Sequence, residues 1–187
     1  MAILKIARMG HPILCGRAAP IEDPRHPAIR KLIDDMIATM ADADGAGLAA
    51  PQVHVPARLV VFSVSEERAS GVEGDRPQGL QVLINPVIEP LTEETEVGWE
   101  GCLSVPGMVG AVARLKRIRY RGLDADGKAL ERIANGFHAR VVQHECDHLD
   151  GILYPMRMPD LSLFGFAEEI RRRMPDSERG AIVKAAE

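Results

Sequence analysis

His144 and His148 lie four residues apart in the stretch QHECDHLDG, residues 143–151. On a helix that spacing projects both imidazoles from one face, one turn above the other. Two such rings can hold one metal ion, and Glu145 is placed to take a proton from water that the ion activates. This is the H-E-x-x-H pattern of metal-dependent hydrolysis. The competing reading is a helix with two ordinary histidines and a solvated glutamate. The pattern leaves open which residue supplies a third ligand.

Of the other histidines, His11, His26, His54 and His138, none falls in an extended zinc-protease pattern. His138 lies six residues before His144, well round the helix, and reads as a surface or second-layer residue. Cys102, set in EGCLS, is the better candidate. A thiolate binds Zn²⁺ or Fe²⁺ strongly, and the ion would keep it ionised. Taken alone, a single cysteine of this kind reads as a small buried hydrophobe.

These residues need a frame. Ile29, Leu32, Ile33, Met36, Ile37 and Met40 recur at three- and four-residue steps, which predicts an amphipathic helix over roughly 25–42, opened by Asp23-Pro24. Residues 1–22, broken by Gly10, Pro12, Gly16 and Pro20, read as irregular chain laid over the core. GAGLAAPQ, 45–52, is a glycine-rich loop after a helix; without a Lys-Ser/Thr or a third glycine it does not suit phosphate. The apolar runs 58–64 and 80–86 predict strands, the second ended by Asn85-Pro86, with a polar loop over 65–79 between them.

TEETEVGW, 92–99, reads as a strand leading into EGCLSVPG, 100–107, and residues 115–133 read as a hairpin around Asp126-Gly127. Lys116, Arg117, Arg119 and Arg121 would then be solvated strand residues, since no aromatics interleave with them to stack bases. Gly136–Asp150 is the metal helix, with Gly151 after it, and Cys146 faces away from the metal side. A last helix is expected over 161–173, with Arg171 to Arg173 on a solvated face, and a loose tail from Pro175. The reading is one α+β domain over 1–187: antiparallel strands and a hairpin packed around a central metal-binding helix, with an N-terminal and a C-terminal helix.

Composition is that of an ordinary globular protein, 46% hydrophobic and 27% charged. A net charge of -4 without a basic run argues against a nucleic-acid partner. Three cysteines make no disulfide framework and point to a reducing compartment. No run approaches the ~20 apolar residues of a membrane span, and the N-terminus carries neither a signal-peptide core nor a transit-peptide pattern. The expected location is the bacterial cytoplasm.

GAGLAAPQ (45–52), EGCLS (100–104) and QHECDHLDG (143–151), in this order and at this spacing, resemble the three motifs of the peptide deformylase family. The likeness extends over roughly residues 5–158, and GFHARVVQHE is similar to the organellar-like branch of the family's first type. The resemblance implies that Cys102, His144 and His148 bind Fe²⁺, which Zn²⁺, Ni²⁺ or Co²⁺ can replace, with water in the fourth position. It implies removal of the N-formyl group from the N-terminal formyl-methionine of newly made polypeptides, with release of formate. Glu145 would pass the water's proton to the leaving amine, while the Gln52 amide and the Leu103 backbone N–H steady the oxyanion. Ala46, Gly47 and Gly101 would offer backbone bonds to the peptide, Val141, Leu103 and Glu100 would shape the methionine pocket, and Arg140 would cover its edge. Partners would be formyl-methionyl peptides and nascent chains, with a transient ribosome contact.

Some positions depart from the family's common pattern. Ala46 is small where a larger aliphatic residue is frequent, His54 stands where glycine is frequent, and Val109 and Gly110 fall near an arginine of some members. Arg114 matches a recurrent arginine and is expected to pair with Asp147. Two other classes stay in view: an H-E-x-x-H metalloprotease, and a deformylase-like protein that only binds formyl-peptides. Glu145 and Gln52, which a purely structural metal site would not need, favour catalysis.

Overall fold

The apolar stripe of the first helical segment becomes α1, Pro27–Asp42, whose buried Ile33, Met36 and Met40 meet Leu48, Leu59, Val61 and Ile84. It starts at Pro27 rather than near Asp23, because His26 caps it: its Nδ1 accepts the Ala28 N–H. The computed structural model describes residues 1–186. Strands follow as β1 Gly47–Ala49, β2 Leu59–Val64, β3 Gln78–Pro90, β4 Thr95–Gly101, β5 Met108–Leu115, β6 Arg117–Leu123 and β7 Ala129–Asn135. Then come α2 Gly136–Leu149, β8 Gly165–Phe166, α3 Ala167–Arg173 and α4 Asp176–Ala186.

The strands form two antiparallel sheets, one in the order β1-β2-β3-β6-β7 and the other β4-β5-β8. Alternation along β2 sends Leu59 and Val61 to α1 and Val60, Phe62 and Val64 to α2. The metal helix is therefore central: α2 packs on β1 and β2 of the large sheet and on β5 of the small one. The architecture is α+β with antiparallel sheets.

The hairpin forms as its Asp-Gly signal predicts, with Gly127 at φ 77° in the turn between β6 and β7. Three expectations change. Strand β3 does not end at Asn85-Pro86; Asn85 takes φ 51°, the pairing with β6 shifts register there, and the strand runs on to Pro90. A bulge of this kind is where a proline, lacking an N–H, fits inside a strand. The 161–173 segment is a short turn, the two-residue strand β8 and α3, rather than one helix. Of the tail from Pro175, Glu187 lies outside the described residues, while the preceding residues form α4, with Ile182 fully buried against Val109 and Ile170.

His138 is also not a surface residue. It is buried under the large sheet, its Nε2 3.0 Å from the Tyr120 hydroxyl, and burial holds its pKa down. It takes no part in the metal-side cluster.

Candidate metal centre and substrate cleft

The four-residue step on α2 brings the rings of His144 and His148 to 5.1 Å between centroids. Cys102 arrives from the small sheet, one residue past the end of β4, and its Sγ stands 3.3 Å from Nε2 of His148. One ligand atom from each of the three residues falls within 4.8 Å of the other two. The glutamate that completes the motif, Glu145, is buried, and burial pushes its carboxyl up to about 7.

The surroundings fix these groups. Glu100 accepts at Oε2 from Nδ1 of His144 at 2.9 Å, so the ring proton sits on Nδ1 and the Nε2 lone pair is left for an ion. The same carboxylate is held by Arg114, Nε to Oε1 at 2.8 Å and Nη2 to Oε2 at 2.9 Å, and by Arg140, Nη1 to Oε1 at 2.8 Å. Burial alone would raise the Glu100 pKa, but the Arg114 and His144 bonds outweigh it and hold it well below the usual carboxylate range. Arg114 also reaches Asp147 on α2, as expected, and Arg157 grips that carboxylate from the other side.

Gln52 sits just after β1. Its Oε1 accepts the Ala49 N–H at 2.8 Å, which aims its amide nitrogen at Ser104 Oγ, 3.2 Å away, and at Cys102 Sγ, 3.5 Å away. The Ser104 N–H also points at the thiol, at 3.4 Å. The N-terminal segment ties the two loops together: the Ala7 N–H bonds to the Gln52 carbonyl and the Met9 N–H to that of Ser104, both at 2.7 Å.

An ion suits this constellation. Burial keeps His148 neutral and so able to ligate, and Nδ1 of His148 and Oε2 of Glu145 are buried without a partner among the described residues. A thiolate and two imidazoles form a soft-to-borderline donor set, apt for Zn²⁺ or Fe²⁺.

A cleft of about 470 Å³ opens over the cluster, walled by residues 43–47 on one side and by 99–103 and 105–108 on the other. Gly47 matters here: a Cβ at that position would collide with the Glu145 carboxylate. Both walls are sheet edges, β1 being the end strand of one sheet and β4 of the other. Each predicted site residue except His148 lines the cleft; His148 lies behind, against Cys102. His54 adopts φ 66°, the left-handed conformation that glycine takes easily, with its ring edge-on to His11.

Sequence reasoning placed Glu100 in the methionine pocket and missed that its carboxylate orients His144. It also missed Arg157, and Asp75, whose carboxylate accepts the His138 N–H in the first turn of α2. No local pattern marks these residues, since each partner is far away in the chain.

Such a constellation defines a metallohydrolase, an enzyme that sets a Lewis-acidic ion and a carboxylate base around one water. The family model for polypeptide deformylase matches residues 3–163. Peptide deformylase 1 of Bordetella pertussis is 55% identical over 163 residues, covering 87% of this chain and 92% of its own. Peptide deformylase 2 of Ralstonia nicotianae is 50% identical, covering 92% and 97%. Among solved structures, the actinonin complex of the Ehrlichia chaffeensis deformylase superposes with a TM-score of 0.79 at 37% identity, covering 87% and 92%. A Met-Ala-Ser complex of the class I type b deformylase from Acinetobacter baumannii gives 0.77 at 35%, covering 84% and 99%. The chain belongs to the polypeptide deformylase family. It is a metal-dependent hydrolase that removes the N-formyl group from newly made polypeptides.

Proposed function

We propose that Cys102, His144 and His148 hold a single divalent ion, Fe²⁺ in the native enzyme, and that Glu145 is the proton carrier of deformylation. The observation that supports this most is the convergence of three ligand atoms within 4.8 Å beside a buried carboxylate that lines the cleft. When bound, the ion polarises the formyl carbonyl and lowers the pKa of water. Glu145 takes the proton of the attacking water and delivers it to the departing amine. The Gln52 amide and the Leu103 N–H donate to the oxygen on which charge develops.

The peptide lies extended between the two sheet edges, bonded through the backbone at Ala46, Gly47 and Gly101, in the manner of an added strand. Val141, Leu103 and Glu100 bound the methionine side chain, and Arg140 closes the edge beside them. The whole chain acts as one domain. The setting is the bacterial cytoplasm, with a transient contact at the ribosome and no direct nucleic-acid site; no helix among the described residues is long and apolar enough to cross a membrane.

The test is formate release from formyl-Met-Ala-Ser by anaerobically purified protein, with metal analysis of the same sample. Iron at one ion per chain and loss of rate in air are expected, since ion and thiolate both oxidise. Glu145→Ala should lower the rate by at least about 10²-fold with the ion retained. Cleavage of internal peptide bonds without formate would make the chain a protease instead.

A further inference from the structure

The methionine pocket and the metal occupy one end of the cleft, and part of the remaining wall comes from an unexpected place. Ala181 on α4 lines the cleft, together with Trp99 of β4 and Met108 at the start of β5. Helix α4 lies beyond residues 3–163, the segment that the family model covers. Its position is not casual. The next residue, Ile182, is fully buried between Val109 and Ile170, and Trp99 packs against the same cluster. Val109 is paired in register with Gly101, the glycine on the peptide-binding edge. One apolar anchor therefore fixes α4 relative to that edge, and the residue before it is turned to the cleft.

Asp44, Glu67, Arg68 and Arg140 bring charge to the cleft lining in addition to the groups around the metal side. Glu67 and Arg68 line it beside Phe137, with the Arg68 guanidinium 5.2 Å from the Phe137 ring centre, next to Arg140 on α2. The stretch of wall holding Trp99, Met108, Pro106 and Ala181 is apolar. A side chain that enters it leaves water for carbon surface, so it must itself be apolar to gain from the move.

We propose that Ala181 is a specificity-determining residue: with Trp99 and Met108 it receives a side chain downstream of formyl-Met and favours apolar residues there. This rests on the deformylase reading above. The C-terminal helix is then a part of the substrate site that the three sequence motifs do not include.

The experiment compares full-length wild type, A181E and S177E, all metal-loaded, on formyl-Met peptides carrying Leu, Lys or Glu at the second or third position. Wild type should prefer Leu. In A181E the ratio of kcat/KM for Lys-bearing over Glu-bearing peptides should rise at least about fivefold at one of the two positions. S177E adds the same charge one turn before Ala181 on the same side of α4, outside the residues that line the cleft, and should move that ratio clearly less than A181E does. No shift in A181E, or an equal shift in both variants, overturns the proposal, because the effect would be absent or merely long-range. Wild type that releases no formate from any of the peptides would instead overturn the deformylase reading, and the proposal with it.

Discussion

Arg114 and the pair Arg119 and Arg121 sit on strands that follow one another in the chain but belong to different sheets, and they behave as different materials. Arg114 on β5 is buried, with 5% of its side chain exposed, and is clamped by Glu100 and Asp147. Arg119 and Arg121 on β6 face solvent and share Glu89 and Glu131, with side chains 30–56% exposed. The residue types are the same, and both sets form networks. What differs is water. In the partly exposed ladder the charges stay largely hydrated whether or not a partner is present, so pairing adds little. Around Arg114 no water stands in for a lost partner, and removing one charge strands the others. The buried set is also what aims His144, so orientation at the metal centre depends on the same bonds.

The largest effect should follow Arg114→Met, which leaves Glu100 and Asp147 buried without their shared cation. Denaturant melts should show a loss of about 3–5 kcal/mol; a melt like that of wild type would erase the distinction between the two networks. Gly47→Ala shifts the Glu145 carboxylate by collision and changes no charge. Formate release should fall about 10²-fold, with a much smaller change in melting temperature. Glu100→Gln keeps the shape but weakens the grip on His144, and competition with a chelator should report an ion affinity lower by about 10–100-fold.

Acid gives a finer comparison. The folded Glu100 pKa lies below its ordinary value of 4.5, so its contribution is complete above that pH and is lost as pH falls below it. Stability of wild type should therefore decline with acid more steeply below about pH 4.5 than that of Arg114→Met, in which the depressing cation is gone. The smallest effect belongs to Arg121→Ala: under about 1 kcal/mol, and less again at high salt. A larger value would mean that the exposed ladder is not the solvated surface it resembles.

How much of this was legible in the chain follows from how far each signal reaches. The His144–Glu145–His148 spacing, the stripe of α1 and the Asp126-Gly127 turn are local, and each was readable from a few neighbouring residues. Cys102 came from its chemistry and from the company of two other motifs. The bulge at Asn85 was not legible, because the side chain that steadies it bonds to Ile21, far back in the chain. Glu100 looked like a pocket residue because nothing beside it in sequence announces Arg114, Arg140 and His144. Helix α4 was read as loose because its polar first turn hides the apolar contact at Ile182 that seats it.

The cleft between β1 and β4 has a consequence for life at high protein concentration. Bare sheet edges recruit strands from any chain that offers one, which is how folded proteins come to stick to one another. Here β1 is three residues long, and on β4 the carbonyls of Glu96 and Gly98 are taken up by Arg140. What stays open between them is the cleft of about 470 Å³, walled on both sides. A loose chain end needs less room to enter such a cleft than the margin of another folded sheet. The enzyme can thus meet unfolded, emerging polypeptides all day without becoming the seed of their aggregation.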